Sequence, residues 1–386
     1  MPRPGFREWL ACGPAIMSGN LLRHDGPLQL VTKFEREFAD YVGAKYALTL
    51  TSGTVALHAA VSALGIGPGD EVLVPAYTWI ATAAAPALAG AIPVLVDINE
   101  TLTMDPAAIE AKITKHTKAI MPVHMMNAPC DMDAIMAIAK RHNLLVIEDA
   151  AQAVGVRYKG RMCGSFGDIG VYSFNQHKNM TIGEGGAVVT NDKALYNRLM
   201  NFHDLGIWAR DGYDKTGEPP FIASHSRVTE VQGAMLRVQL QRMRSNMQAI
   251  QRRVRLIRNA IESQGAVHLS PHNDPGDAYT VTVTFDTEAE AIAYSHRPGV
   301  ARLYDNTKHI YTNWDPIINK RTSHPQMNPW LWANREITYD QDSCARTLDI
   351  LRRTCKLHIS ARWPLPAIWW RARAWAAPVE VTSPAA

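Results

Sequence analysis

The chain has 386 residues, 47% of them hydrophobic and 20% charged, which suits one large domain plus a smaller one with a sizeable core and excludes wholesale disorder. Forty Lys and Arg against 36 Asp and Glu leave a net charge of +4, spread along the chain. That is no nucleic-acid footprint, and at most it suits an anionic ligand such as a phosphate.

The N-terminal "MPRPGFREWLACG" has no apolar stretch of signal-peptide type, so a cytoplasmic protein is expected. From residue 46 short β-rich runs alternate with helical patterns. "YALTL" (46–50) precedes a helix from Thr54, and "EVLVP" (71–75) precedes an Ala-rich helix that "IPVLV" (92–96) follows. Pro86, Gly90 and Pro93 cut the apolar run 80–96, which therefore reads as helix then strand and not as a membrane span. "AIMPV" (119–123), "LLVIED" (144–149), "IGVYSF" (169–174) and "AVVT" (187–190) are further strands. Continuous apolar strands alternating with helices predict an α/β fold with a mostly parallel, doubly covered sheet. After Ser226 a long helical pattern, one helix or two in tandem, runs to Gly265 and leads into a second domain. "AYTVTVTF" (278–285) and the helix pattern 287–296 make that domain α+β, and the boundary is set between residues 255 and 256. The five cysteines, Cys12, Cys130, Cys163, Cys344 and Cys355, are odd in number, widely spaced and form no CxxC. They argue for a reducing compartment and against disulfides or a zinc site, and no metal is expected.

Several residues at predicted strand ends can carry chemistry, since open α/β sheets bind ligands there. "TSGT" (51–54) opens a helix, and its free N–H groups and hydroxyls form either a phosphate site or a plain N-cap. Asp149 ends a strand that reads as buried, with Gln152 one helical turn on. A carboxylate there needs a cationic or hydrogen-bonding partner, or it is another helix cap. Trp79 in "AYTWIA" lies just past a strand and is by itself ordinary packing. Lys178 lies between "SFNQH" and "NMTIGEGG". A solvated lysine would make this a loop, and a lysine held in a pocket is an amine that can form a Schiff base. "GIGPGDEV" (65–72) leads into a strand instead of following one, so it fails the context of a dinucleotide fingerprint and reads as a loop.

Taken together, "SGT", "VPAYTWIATA", "VHMM", "IEDAAQAVGVRYKGR", "GDIGVYSFNQHKN", "GEGGAVVTND" and "RVTEVQGAML" resemble the DegT/DnrJ/EryC1/StrS family of pyridoxal-phosphate sugar aminotransferases, over roughly residues 25–260. The resemblance implies the type I, aspartate-aminotransferase-like fold, with pyridoxal 5'-phosphate as cofactor and pyridoxamine 5'-phosphate as its intermediate form. It implies that Lys178 forms the Schiff base, Asp149 binds the pyridine nitrogen and Gln152 the phenolic oxygen. Trp79 would stack on the ring, and Gly53, Thr54 and Ser173 would hold the phosphate. It also implies a homodimer with shared active sites, a keto-sugar acceptor and an amino-acid donor, L-glutamate or L-glutamine.

Three departures stand out. His225 in "SHSRVTE" occupies the place of an asparagine that reaches across the dimer to the neighbouring phosphate in relatives. Asn127 stands where a glycine is usual. The run "HIYTNWDPIINKRTSHPQMNPW" lacks the hexose-type ending and looks like the subgroup that aminates eight-carbon keto sugars, as in octulosonate or lincosamide pathways. There Tyr311, Trp314 and Trp330 are expected to cover sugar faces, while Asn313, Lys308 and His324 bond hydroxyls or a phosphate. Two alternatives share the fold: a pyridoxamine-phosphate sugar dehydratase, which has histidine in the lysine's place, and a non-catalytic sugar-nucleotide sensor.

Overall fold

A computed structural model describes residues 4–23, 25–206, 219–360 and 362–379. Seven strands form the main sheet: β1 (Tyr46–Leu50), β2 (Glu71–Pro75), β3 (Ile92–Val96), β4 (Thr117–Ile120), β5 (Leu145–Asp149), β8 (Ile169–Ser173) and β9 (Gly186–Thr190). Their order is β1-β9-β8-β5-β4-β2-β3, parallel from β8 to β3, with β9 antiparallel to both neighbours. The carboxyl ends of β1, β2, β4, β5 and β8 therefore share one edge. β6 (Arg157–Tyr158) and β7 (Arg161–Met162) make a separate small hairpin.

Alternation along each strand divides its side chains between two layers. Leu48 and Leu50, Val72 and Val74 enter one core with α3 (Gly53–Ala63), α4 (Ala81–Leu88) and α7 (Lys193–His203). Ala47 and Leu73 enter the other, with α2 (Leu30–Val42), α6 (Met132–His142) and α8 (Glu230–Gln241). α1 (Phe6–Met17) lies along α8 and leaves Phe6, Trp9 and Leu10 exposed, while α5 (Pro106–Lys112) follows β3.

The long helical pattern resolves into two helices, α8 and α9 (Met243–Gln264), joined at Arg242. Gly265, at φ 66°, closes α9 in the left-handed conformation that favours glycine. Met243 and Met247 of α9 belong to the second core, whereas Ile250, Val254, Ile257 and Ile261 line a third. The expected boundary after residue 255 thus falls inside a continuous helix. The third core lies under an antiparallel sheet, β10 (His268–Leu269), β11 (Val281–Thr284), β13 (Thr354–Leu357) and β12 (Val300–Arg302), in the order β10-β11-β13-β12. α10 (Glu288–Ser295) and α14 (Leu365–Ala376) pack with it. The intervening chain, with α11 (Asp315–Ile318), α12 (Pro329–Trp332) and α13 (Ala345–Arg352), returns to the large domain, and Leu303, Ile310, Tyr311, Trp314 and Leu348 join its first core.

Candidate active site

The shared edge gathers the residues that sequence placed at strand ends. β1 leads through Ser52 into α3, and the Ser52 side chain caps that helix by accepting from Val55 N at 3.2 Å. The first-turn N–H groups of Gly53 and Thr54 have no intrahelical acceptor, as at any helix start. A Cβ on Gly53 would stand 2.9 Å from the Cβ and 3.2 Å from the Oγ of Ser173, at the end of β8. Only glycine lets the Ser173 hydroxyl approach this helix start so closely. The same edge carries Gly186, where a Cβ would stand 2.5 Å from the Ser52 carbonyl oxygen.

Asp149 ends β5 and is 4% exposed. Its Oδ2 accepts from Thr82 Oγ1 at 2.9 Å and its Oδ1 from Ala151 N at 3.1 Å. Burial raises its pKa, opposed by the Ala151 N–H, the Thr82 hydroxyl and the Lys178 ammonium. Below it, Glu148 accepts from Gly164 N and Gly167 N, each at 2.7 Å, and from Phe166 N. The backbone of Cys130 donates to His124 Nδ1 at 3.1 Å, so the proton of that imidazole is on Nε2, 3.1 Å from Glu148 Oε2. This buried pair fixes the strand ends on which Asp149 sits, and His124 N also donates to Asp149 O at 3.1 Å.

Lys178 lies in the β8–β9 connection, which is tied to itself: Phe174 N bonds Gly185 O at 2.8 Å and Gln176 N bonds Gly183 O at 2.8 Å. Asn179 and Met180 beside it are buried, with Asn179 Nδ2 donating to Val154 O at 2.6 Å, while His177 is exposed. Lys178 is thus led inward. Burial lowers its pKa, with Asp149 pulling the other way. Gln152 accepts from Met126 N at 3.1 Å through Oε1 and turns its Nε2 toward the weak acceptor Met125 Sδ, 3.2 Å away, so a stronger oxygen acceptor can take that N–H. Trp79, 46% exposed, faces His309 with ring centroids 5.8 Å apart. His225 is exposed, and its Nε2 accepts from Arg227 Nε at 2.8 Å within the same chain.

The expected sugar-facing aromatics need correction. Tyr311, Trp314 and Trp330 are 0%, 1% and 7% exposed and belong to the first core. Tyr311 Oη donates to Gln341 O at 2.6 Å and accepts from Cys344 N at 3.1 Å. These residues wedge the chain from 303 to 351 onto the large domain and offer no face to a sugar. Asn313, His324 and Lys308 are exposed.

Thr82 and His309, to which sequence reasoning gave no role, stand at the site, as does Asn127, noted there only as a departure. Thr82, one helical turn after Trp79, holds Asp149. Asn127 is buried at φ 59° and joins the domains. Its Oδ1 accepts from Tyr279 N at 2.7 Å and Thr280 N at 2.9 Å, and its Nδ2 donates to Thr280 Oγ1 at 2.7 Å. Its oddness against relatives was the available signal. His309, whose carbonyl accepts from Thr78 N at 2.9 Å, had no signal beyond the aromatic run around it. Among the described residues no cluster of His, Cys, Asp or Glu could hold a metal, and no helix is long and apolar enough to cross a membrane.

Comparison with known proteins gives four likenesses. The sequence model described as the DegT/DnrJ/EryC1/StrS aminotransferase family matches residues 13–360. GDP-perosamine synthase of Caulobacter vibrioides is 43% identical over 245 residues, 63% of this chain and 65% of that protein. GDP-perosamine synthase of Escherichia coli O157:H7 is 52% identical over 178 residues, 46% of this chain and 49% of that protein. The chain thus spans from about half to just under two thirds of the length of these relatives. The crystal structure of 3-amino-5-hydroxybenzoic acid synthase superposes with a TM-score of 0.79 at 29% identity, covering 97% of each chain.

Proposed function

Because this chain belongs to the DegT/DnrJ/EryC1/StrS aminotransferase family, we propose that it is a pyridoxal-phosphate-dependent aminotransferase that moves an amino group from L-glutamate or L-glutamine to a ketone of a nucleotide-activated sugar. The observation that carries this reading is the pairing of an inward-led lysine, whose pKa burial lowers, with a buried carboxylate at the sheet's carboxyl edge, Lys178 and Asp149.

The residues present fit the cofactor. Asp149 is fixed by two donors and, among the described residues, engaged by no ion pair, which suits it to a cationic ring nitrogen. The N–H groups of Gly53 and Thr54 with the Ser173 hydroxyl suit a phosphate. The exposed Trp79 suits a ring face, and Gln152 Nε2 suits an oxygen. When bound, pyridoxal phosphate supplies an aldehyde for Schiff-base formation and an electron-accepting ring. The lowered pKa leaves more of Lys178 Nζ as the free amine, suited to take the proton from the donor's α carbon and later return one on the acceptor side. A negative charge on Asp149 would stand in a water-poor place, where it counts for more than in water. Lys178 itself favours transamination over the dehydratase alternative, and the neighbouring His177 is exposed.

Reduction with borohydride followed by peptide mapping should tag Lys178, and keto-sugar nucleotides with L-glutamate should release 2-oxoglutarate. Label on another lysine would sink the assignment. A GDP-linked keto sugar is the first acceptor to try, since the relatives above are GDP-perosamine synthases. The finer expectation of an eight-carbon acceptor now leans on Asn313, His324 and Lys308, and it requires a keto-octose nucleotide to exceed a keto-hexose nucleotide about tenfold in kcat/KM.

We also propose a cytoplasmic homodimer with shared sites, His225 reaching the partner's phosphate. If Lys178→Ala and His225→Ala are each inactive, exchanged heterodimers hold one intact site, and about a quarter of wild-type activity returns on statistical mixing. No recovery after confirmed exchange counts against sharing.

A further inference from the structure

A second cleft lies at the opposite end of β1 from the catalytic edge. β1 closes one side of the main sheet, with β9 as its neighbour. Its carboxyl end leads into Ser52, and its amino end, from Lys45 to Ala47, opens between α2 and α7 onto a cavity of about 600 Å³. Thr32, Glu35, Arg36 and Ala39 line it from one face of α2, at helical spacings of three and four. Lys193, Tyr196 and Met200 line it from α7 in the same way. Its volume is that of a small-molecule site.

The walls are cationic. Arg23 is buried in one of them and pairs with Glu35, Nη2 to Oε2 at 2.7 Å and Nε to Oε1 at 3.2 Å. Glu35 Oε1 also accepts from Thr49 N at 2.9 Å and Thr49 Oγ1 at 2.7 Å, so the carboxylate of the lining is already engaged. Arg36, Lys45 and Lys193 stand exposed around it, and among the described residues none of the three is in an ion pair. Lys193 Nζ lies 5.5 Å from the ring centroid of Tyr46 and 5.2 Å from that of Tyr196, two rings stacked at 4.9 Å. The aromatic pair thus keeps this ammonium at the cleft without neutralising it. Ala39, Ala47 and Met200 are buried and make an apolar floor.

We propose that this cleft is a second binding site, one for a nucleoside diphosphate. Three uncompensated cations from three segments, Arg36 on α2, Lys45 before β1 and Lys193 on α7, suit two adjoining phosphate groups better than one. A lone phosphate would leave most of the cavity unfilled, whereas the apolar floor and the two tyrosines suit a planar ring carried on the same ligand. The cations line a concavity, which fits a small molecule and not a flat lipid surface. The site is separate from the phosphate place at the start of α3, which lies at the other end of β1, and it does not depend on the reaction performed there.

Calorimetric titration of the cofactor-loaded protein with inorganic pyrophosphate and with GDP tests this. Wild type should bind pyrophosphate saturably, and the double variant Lys45→Met/Lys193→Met at least about tenfold more weakly. Arg36→Gln, on a different element, should weaken binding in the same sense, and Lys193→Arg should stay within about threefold of wild type. All three side chains are exposed, so cofactor loading and turnover without pyrophosphate should not change. Equal binding of pyrophosphate by wild type and the double variant overturns the site. Sulfate bound as tightly as pyrophosphate reduces the cleft to unspecific charge attraction and overturns it as well. GDP should bind the cleft at least about threefold more tightly than pyrophosphate. GDP held at the catalytic edge is common to wild type and variant, so the difference between them reads the cleft alone. No such difference for GDP, or one no larger than for pyrophosphate, overturns the nucleoside assignment.

Discussion

The floor of the site draws Asp149, Ser173 and Ser52 from strand ends, and each is hydrogen-bonded to a backbone N–H two or three residues further on. Its roof draws on the C-terminal part of the chain, and there Asn127 meets Thr280, and Thr78 meets His309, across more than 150 positions. The floor is preorganised by turns that fold with their own strands. The roof exists only once two domains have met. Chemistry that needs a charge fixed in one place belongs on the first, and selection of what enters belongs on the second.

Four changes separate the two. Asp149→Ala removes the floor's fixed charge, and turnover should fall by roughly three to four decades with the protein still folded and cofactor-bound. The check is 2-oxo-acid release, and a variant keeping a tenth or more of wild-type turnover removes Asp149 from the chemistry. Trp314→Ala should cost about 3–5 kcal/mol in denaturant unfolding, as an emptied core site does, and leave the preference among keto sugars unchanged. Altered preference at full stability would return Trp314 to the ligand.

Asn127→Gly keeps the left-handed backbone and deletes three bonds between the domains. A loss of about 1–3 kcal/mol is expected, and none at all would make the roof independent of this clamp. The last change concerns pH. Held by burial at about 4 in the native protein, against an ordinary 6.5, His309 binds fewer protons than in the unfolded chain between those values. Native stability should therefore fall as pH drops from 6.5 toward 4, with no further loss from this group below. His309→Asn should flatten that part of the profile, read from denaturant midpoints on the cofactor-free protein, and an unchanged slope would mean the imidazole is not desolvated.

The floor was legible in the sequence because its signals are local. β1, β2 and β3 coincide with the apolar runs 46–50, 71–75 and 92–96, and β5 and β8 lie within a residue of expectation. β4 stops at Ile120, short of the run's end at 123, because Pro122 has no N–H to give the ladder, although Val123 still bridges Asp149. The roof was not legible. "HIYTNW" reads equally as a sugar platform or as packing, and what decides is the Ala76 carbonyl that accepts from Tyr311 N, 235 residues away in the chain. Periodicity carries no record of such a partner.

The helix α9 begins in one core and ends in another without a break in its hydrogen bonding. Anyone wishing to split this protein for complementation, or to graft its C-terminal module elsewhere, would find no linker at residue 255 to cut. A break there would strand Met243 and Met247 on one fragment and Ile257 and Ile261 on the other, each half carrying a frayed, greasy stump. The serviceable cleavage point is further on, past the Gly265 stop, where the helix has already delivered its last apolar side chain.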